Sequence, residues 1–88
     1  MNAVETYKEL IEQTGVWLDK AENIEIFAHD PKGEEFKENI EAYITDTGHF
    51  IHKGDFVRAF EAIVWAWAWI EIGSDTGIIS VKDINKKE

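Results

Sequence analysis

The sequence contains no cysteine and only one proline among its 88 residues. The absence of cysteine excludes disulfides, thiolate metal sites and cysteine nucleophiles, and nothing then argues for an oxidising compartment. Serine is nearly as scarce, because Ser74 and Ser80 are the only two and neither lies in a Gly-x-Ser-x-Gly pattern. No glycine-rich phosphate-binding motif is present. These absences argue against several common enzyme classes and favour a cytoplasmic location.

Positive charge is also in short supply, with nine Lys and Arg against eighteen Asp and Glu, for a formal net charge of −9. Such a chain repels phosphate backbones, so we expect no nucleic-acid partner. The longest apolar run, residues 62–70, is too short to cross a bilayer, so we expect no membrane role. A length of 88 residues is typical of one domain, predicted to span 1–88.

What the sequence does contain is three amphipathic stretches, which predict an all-α fold. Asp30 followed by Pro31 is a helix start, because the carboxylate accepts from free backbone N–H groups and proline at the first helical position loses no hydrogen bond. Gly54 and Gly73 are expected to end the second and third helices, and Asp55 to cap the third. The predicted helices span residues 2–22, 31–53 and 55–72, followed by a tail over 74–88.

A turn at Gly54 requires the second and third helices to be antiparallel, so the pattern predicts an up-down-up three-helix bundle with a short C-terminal tail. The tail has apolar residues at Ile78, Ile79, Val81 and Ile84, and either an extended strap or a short helix fits them. The stripe of the third helix that we expect to face the core consists of Phe56, Ala59, Phe60, Ile63, Trp67 and Ile70.

The third helix has a second apolar face. At 100° per residue, Trp65 and Trp69 lie close together, whereas Trp67 lies nearly opposite both. A helix that is apolar almost all round is expected to be covered on both sides. We therefore predict an interface outside the core, covered by a second copy in a homodimer with the tail contributing, or by another protein. Its predicted residues are Trp65, Trp69, Ile72, Ala62 and Ala68.

Arg58 and Glu61 lie three residues apart on the third helix. Their spacing predicts a surface ion pair or, as an alternative, a site for a ligand carboxylate.

Asp46, His49 and His52 follow one another at three-residue steps and resemble a metal-binding pattern. Their positions on the helical wheel point away from the apolar stripe, so a solvated polar face is the preferred interpretation, and neither a metal nor another cofactor is predicted. Asp46 and Asp75 each begin an Asp-Thr-Gly triplet, as in aspartic proteases. That chemistry needs loops between strands, so no catalytic residue is predicted.

The stretch over residues 42–79 resembles a known family. Its most specific segments are Lys53-Gly54-Asp55-Phe56 and Arg58-Ala59-Phe60, together with the region of Ala66, Trp69 and Gly73. They resemble domain-of-unknown-function family 357, a group of short helical proteins found in archaea. Ala68 and Glu71 depart from the family pattern, which has glycine and aspartate near these positions. The resemblance implies a helical, cytoplasmic, archaeal protein and supplies no activity.

The sequence thus favours a non-catalytic module for protein interaction or self-association over an enzyme. The alternative is a protein that binds a small ligand or a metal, with or without catalysis. It would use Arg58, Glu61 and the tryptophans, or the face formed by Asp46, His49 and His52.

Overall fold

The structure, a computed structural model, describes residues 2–84, so the end of the predicted tail, residues 85–88, lies outside the described part. The chain is mostly helical, with a small antiparallel sheet. Within residues 2–84, no helix is long and apolar enough to cross a membrane. The elements are α1 (Ala3–Glu22), β1 (Ile24–Ala28), α2 (Pro31–His52), α3 (Phe56–Asp75) and β2 (Ile79–Asp83).

Each helix begins where a side-chain oxygen accepts a hydrogen bond from the backbone N–H three residues later. The donor–acceptor distances are 2.9 Å at Asn2, 2.8 Å at Asp30 and 3.1 Å at Asp55. These bonds satisfy donors that would otherwise lack a partner in the first turn. Gly54 joins α2 to α3 with φ of 76°, a left-handed conformation that glycine adopts without strain.

Ring contacts establish the directions of the helices. Phe36 of α2 meets Trp69 of α3 with centroids 4.6 Å apart, and Tyr43, further along α2, stacks on Trp65, which lies earlier in α3. The helices α2 and α3 are therefore antiparallel. The helix α1 runs parallel to α3, because the pairs Tyr7–Phe56 and Trp17–Trp67 ascend together along both helices.

A two-stranded sheet was missing from the predicted all-α fold. Strand β1 lies in the predicted loop between α1 and α2, and β2 lies in the tail, for which an extended form was one of the two alternatives. The strands pair antiparallel, with Ile26 opposite Val81 and Ala28 opposite Ile79. Ile26 and Ile79 are buried in the main core cluster. The sheet therefore closes one end of the bundle.

The orientation of α3 differs from the predicted one. Ala59, Ile63 and Ile70 of the predicted stripe are buried, whereas Phe56, Phe60 and Trp67 are only partly buried and lie on one side of the buried arc. The other buried residues of α3 are small. Small residues allow the axes of α2 and α3 to approach closely. Phe60 and Trp67 then pack on the side of the arc toward α1, and Trp69 packs on the other side against Phe36. The buried arc consists of Ala59, Ala62, Ile63, Ala66, Ile70 and Gly73.

Gly73 was expected to end α3, but the helix continues through it to Asp75. Packing explains why a glycine stands at this helical position. A Cβ atom at this position would lie 2.8 Å from Ile79 Cγ1 and 2.9 Å from Phe36 Cδ2. Glycine is therefore needed here so that α2, α3 and β2 can meet, and not because the backbone turns.

The helix α1 is the least covered element. Thr14 and Ala21 are its buried residues, although the helix has 20 residues. Its apolar residues Val4 and Tyr7 are 64% and 49% exposed. Buried Thr14 satisfies its hydroxyl within the helix, donating to the Leu10 carbonyl at 2.7 Å. The bundle thus holds α1 along one edge and leaves much of its apolar stripe open.

Candidate interaction surface

The predicted interface residues divide into an exposed and an internal group. Trp65 and Ile72 are 53% and 56% exposed, and Ala68 is partly buried. Trp65 rests with one ring face near Tyr43, at a centroid distance of 6.4 Å and an interplanar angle of 16°. Its position is therefore fixed from within the chain while much of the indole remains open to solvent.

Trp69 and Ala62 belong to the internal group, which corrects their predicted placement. Trp69 packs against the main core cluster and meets Phe36 edge to face. Ala62 is 8% exposed and lies on the buried arc of α3. Ala62 is therefore covered within the chain, and Trp69 is partly covered by Phe36 of α2.

Val57 and Val64 were not among the predicted interface residues, although they are 69% and 50% exposed. Their signal in the sequence was their place on the wheel, because both valines lie outside the buried arc of α3. We call the exposed arc formed by Val57, Arg58, Glu61, Trp65 and Ile72 the outer face. Val64 points to the side of this arc that adjoins α1.

A second apolar feature lies between the parallel helices α1 and α3, and we call it the α1–α3 groove. It consists of two hollows of about 280 and 470 Å³. Phe60 lines both hollows, so they adjoin along the two helices. The first is lined mainly by Trp17, Phe60, Val64, Trp67, Ala68 and Glu71, and the second by Phe60 with Ala3, Thr6, Tyr7, Glu9, Leu10 and Gln13.

The floor of the α1–α3 groove is held by indole contacts. Trp67 Nε1 donates to the Trp17 carbonyl at 3.0 Å, and the two rings meet edge to face with centroids 5.7 Å apart. Trp17 Nε1 donates in turn to Gln13 Oε1 at 3.2 Å, and Lys20 Nζ lies 4.6 Å from the centre of the Trp17 ring. Hydrogen bonds and ring packing therefore fix both indoles before anything binds.

The spacing had predicted an ion pair between Arg58 and Glu61, but in the structure Arg58 pairs with Asp55. Its Nη1 donates to Asp55 Oδ2 at 2.7 Å, while the Arg58 backbone N–H donates to Asp55 Oδ1. The pKa of Asp55 is lowered mainly by the side-chain hydrogen bond from Arg58, and further by the bond from its backbone N–H. The same side-chain bond raises the pKa of Arg58. The guanidinium is thus paired with the carboxylate that caps α3, which reduces its fitness as a receptor for a ligand carboxylate.

The structure places Asp46, His49 and His52 on the exposed surface of α2. Among residues 2–84, no group of three or more His, Asp or Glu side chains is arranged to hold a metal ion. Asp46 and Asp75 both lie within helices, the second at the end of α3. The two Asp-Thr-Gly triplets therefore lack the loops between strands that protease chemistry needs.

Comparison with known proteins gives a family and a fold. The model of the family described as "Protein of unknown function (DUF357)" matches residues 6–79. The crystal structure of protein AF1782 from Archaeoglobus fulgidus, which carries the same family model, is 44% identical in sequence. The match covers 85% of this chain and 96% of that one, with a TM-score of 0.70. Among curated proteins, none matches. The chain therefore belongs to the DUF357 family.

Proposed function

We propose that the protein is a non-catalytic interaction module, and that the outer face of α3 pairs with the same face of a second copy. The observation that supports this is the exposure of Trp65 and Ile72, which both lie more than half open to solvent on one arc. Large side chains with this exposure are uncommon on a monomer when they lie together, and such patches are typical of protein interfaces. The absence of cysteine favours a cytoplasmic setting for this module.

The energetic gain from covering the outer face is substantial for so small a protein. A tryptophan side chain buries about 150–250 Å² when it is fully covered, so the open half of Trp65 is worth roughly 2–3 kcal/mol. Ile72 and Val57 add to this. The total stability of a small domain is only about 5–15 kcal/mol, so pairing would contribute a sizeable fraction of it.

The outer face does not share the strong negative charge of the whole chain. Its charged residues are one base and one acid, Arg58 and Glu61, which lie nearer the start of α3 than Trp65 and Ile72 do. Two outer faces that meet therefore bring together no excess of one sign, so the acidity of the whole chain is not a barrier at this face.

The test is the solution mass, measured by size-exclusion chromatography with light scattering across a range of concentrations. We expect the parent to show twice the 10.1 kDa chain mass. The double variant Trp65→Glu/Ile72→Glu should be a folded monomer, because a dimer would have to bury these carboxylates at the apolar centre of its interface. Val4→Glu is the matched control, since Val4 is 64% exposed on α1 and away from the outer face. A parent that stays monomeric, or a double variant that remains dimeric, contradicts the proposal.

A further inference from the structure

The α1–α3 groove is long enough for one short helix. On α1 its lining runs from Ala3 to Trp17, which at about 1.5 Å per residue is roughly 20 Å, or four turns. The two helices that form it are parallel, and α2 packs against both α1 and α3. A fourth helix laid between α1 and α3 would complete a four-helix bundle.

The groove is formed in advance of binding. The hydrogen bonds from Trp67 to the Trp17 carbonyl and from Trp17 to Gln13 fix the floor. An occupant therefore orders few side chains when it binds, which lowers the entropic cost of association. Bound apolar side chains would cover Val64 and the exposed parts of both indoles.

The coverage of α1 also indicates an incomplete bundle. This helix has 20 residues and buries only Thr14 and Ala21. Tyr7 and Trp17, which line the groove, are 49% and 38% exposed. Part of the apolar stripe of α1 is therefore open toward the groove.

The acidic residues beside the groove favour a bound helix that carries positive charge. Glu9 lines the groove from α1 and Glu71 lines it from α3, while Lys20 is held against the Trp17 ring. A second copy of this chain, with its net charge of −9, would bring the same carboxylates to the same rims. Lysine or arginine on the flanks of an apolar helix would instead meet opposite charge on both sides.

We propose that the α1–α3 groove binds an amphipathic helix with basic flanks, contributed by a different protein. The helix places its apolar stripe on Trp17, Trp67 and Val64 and its basic residues beside Glu9 and Glu71. This inference rests on the proposed function, since it names the partner of an interaction module. It uses a surface beside the outer face and does not require the homodimer.

The experiment uses the full chain and a synthetic peptide of about 18 residues, long enough to form helix on binding. The peptide contains no tryptophan and has a leucine stripe at helical spacing with lysine flanks. Titration calorimetry gives the Kd, and the fluorescence of the protein's tryptophans reports cover of the indoles. A peptide of the same composition in an order without the stripe, and one with glutamate replacing lysine, are the controls.

Val64→Lys and Val4→Lys are the matched variants, because both make the same change on an exposed helix position and only Val64 lines the groove. We expect Val64→Lys to weaken binding by about tenfold or more, as for a residue at the centre of an interface. Val4→Lys should bind like the parent. Glu71→Gln should weaken binding more than Glu38→Gln, which removes the same charge from an exposed position on α2.

Equal affinity for the striped and reordered peptides, or for both lysine variants, would show attraction by net charge alone and overturn the inference. Failure of the striped peptide to bind would do the same. A parent dimer that Val64→Lys dissociates, and that Trp65→Glu/Ile72→Glu does not, would place a second copy in the groove. That result overturns this inference and leaves an interaction function standing through a different face. Retained peptide binding in Trp65→Glu/Ile72→Glu supports the separation of the two surfaces.

Discussion

Replacing Gly73 with alanine tests how closely α2, α3 and β2 meet. An added Cβ would approach Ile79 Cγ1 to 2.8 Å and Phe36 Cδ2 to 2.9 Å. Neither neighbour yields easily, because Ile79 is 1% exposed and branched at Cβ, and Phe36 is a ring that is 7% exposed. Inserting a carbon into such packing costs about 1–3 kcal/mol. Alanine recovers roughly 1 kcal/mol through its higher helix propensity, so the net loss is about 0–2 kcal/mol.

Gly48 is the matched control for this change. It also lies inside a helix, α2, but a Cβ there meets nothing within 4 Å. Gly48→Ala therefore keeps the gain in propensity without the clash and should stabilise the fold by about 0.5–1 kcal/mol. The two variants should differ by about 1–3 kcal/mol, and each kcal/mol moves the Tm of a domain of this size by about 4–8 °C.

Thermal unfolding and urea titration, followed by circular dichroism, measure both effects. We expect Gly48→Ala to melt above the parent and Gly73→Ala to melt at least about 4 °C below Gly48→Ala. The cost of Gly73→Ala should fall in an Ile79→Ala background, because that change removes the closest atom, and the double-mutant cycle would give a coupling of about 0.5 kcal/mol or more. If Gly73→Ala were as stable as Gly48→Ala, helix propensity would explain both variants and the close packing would be refuted.

Two further predictions concern single hydrogen bonds. Trp67→Phe removes the hydrogen bond to the Trp17 carbonyl. It should lower the free energy of unfolding by about 1 kcal/mol more than Trp69→Phe, because the Trp69 indole makes no hydrogen bond among residues 2–84. Equal losses in urea unfolding would contradict this. Arg58 lowers the pKa of Asp55, so the stabilisation from the ionised carboxylate is complete above the unfolded pKa of about 4 and is lost as the pH falls through the lower folded value. The Tm difference between the parent and Asp55→Asn should therefore be largest near neutral pH and shrink in acid, and a difference that grows in acid would be inconsistent with this cause.

The starts of α2 and α3 could be read from the sequence because their signals are local. The Asp30-Pro31 pair and Asp55 act within a few residues, and the structure shows both carboxylates accepting backbone N–H groups. The strands have a local signal too, since Ile24, Ile26 and Ala28 alternate with less buried neighbours in β1. The residues that pair with β1, however, lie more than 50 positions later in β2, and no local pattern reveals such a pairing.

The orientation of α3 could not be predicted from apolarity because the helix is apolar on nearly every side. Side-chain size suggested that Phe60 and Trp67 face the core, since large side chains gain most from burial. The structure buries Ala66 together with Ala59 and Ile63 of the predicted stripe, because small residues on this arc let α2 approach closely along the helix. Small residues at helical spacing were the signal for this arc, but Gly73 had been interpreted as a helix end and Ala62 as an interface residue.

The tryptophans show why two surfaces remain after the fold is complete. Trp69 packs edge to face against Phe36 within the chain, and Trp17 of α1 packs edge to face against Trp67 of α3. Trp65 stacks on Tyr43 and is 53% exposed. A sequence selected for folding alone has little reason to keep an indole half exposed, or to keep valine where lysine or glutamate would favour helix and solubility. Because the buried arc of α3 already packs against α2, we propose that the apolar residues that point elsewhere serve contacts beyond the chain. In this proposal the outer face meets a copy of itself, and the acidic groove meets a basic helix.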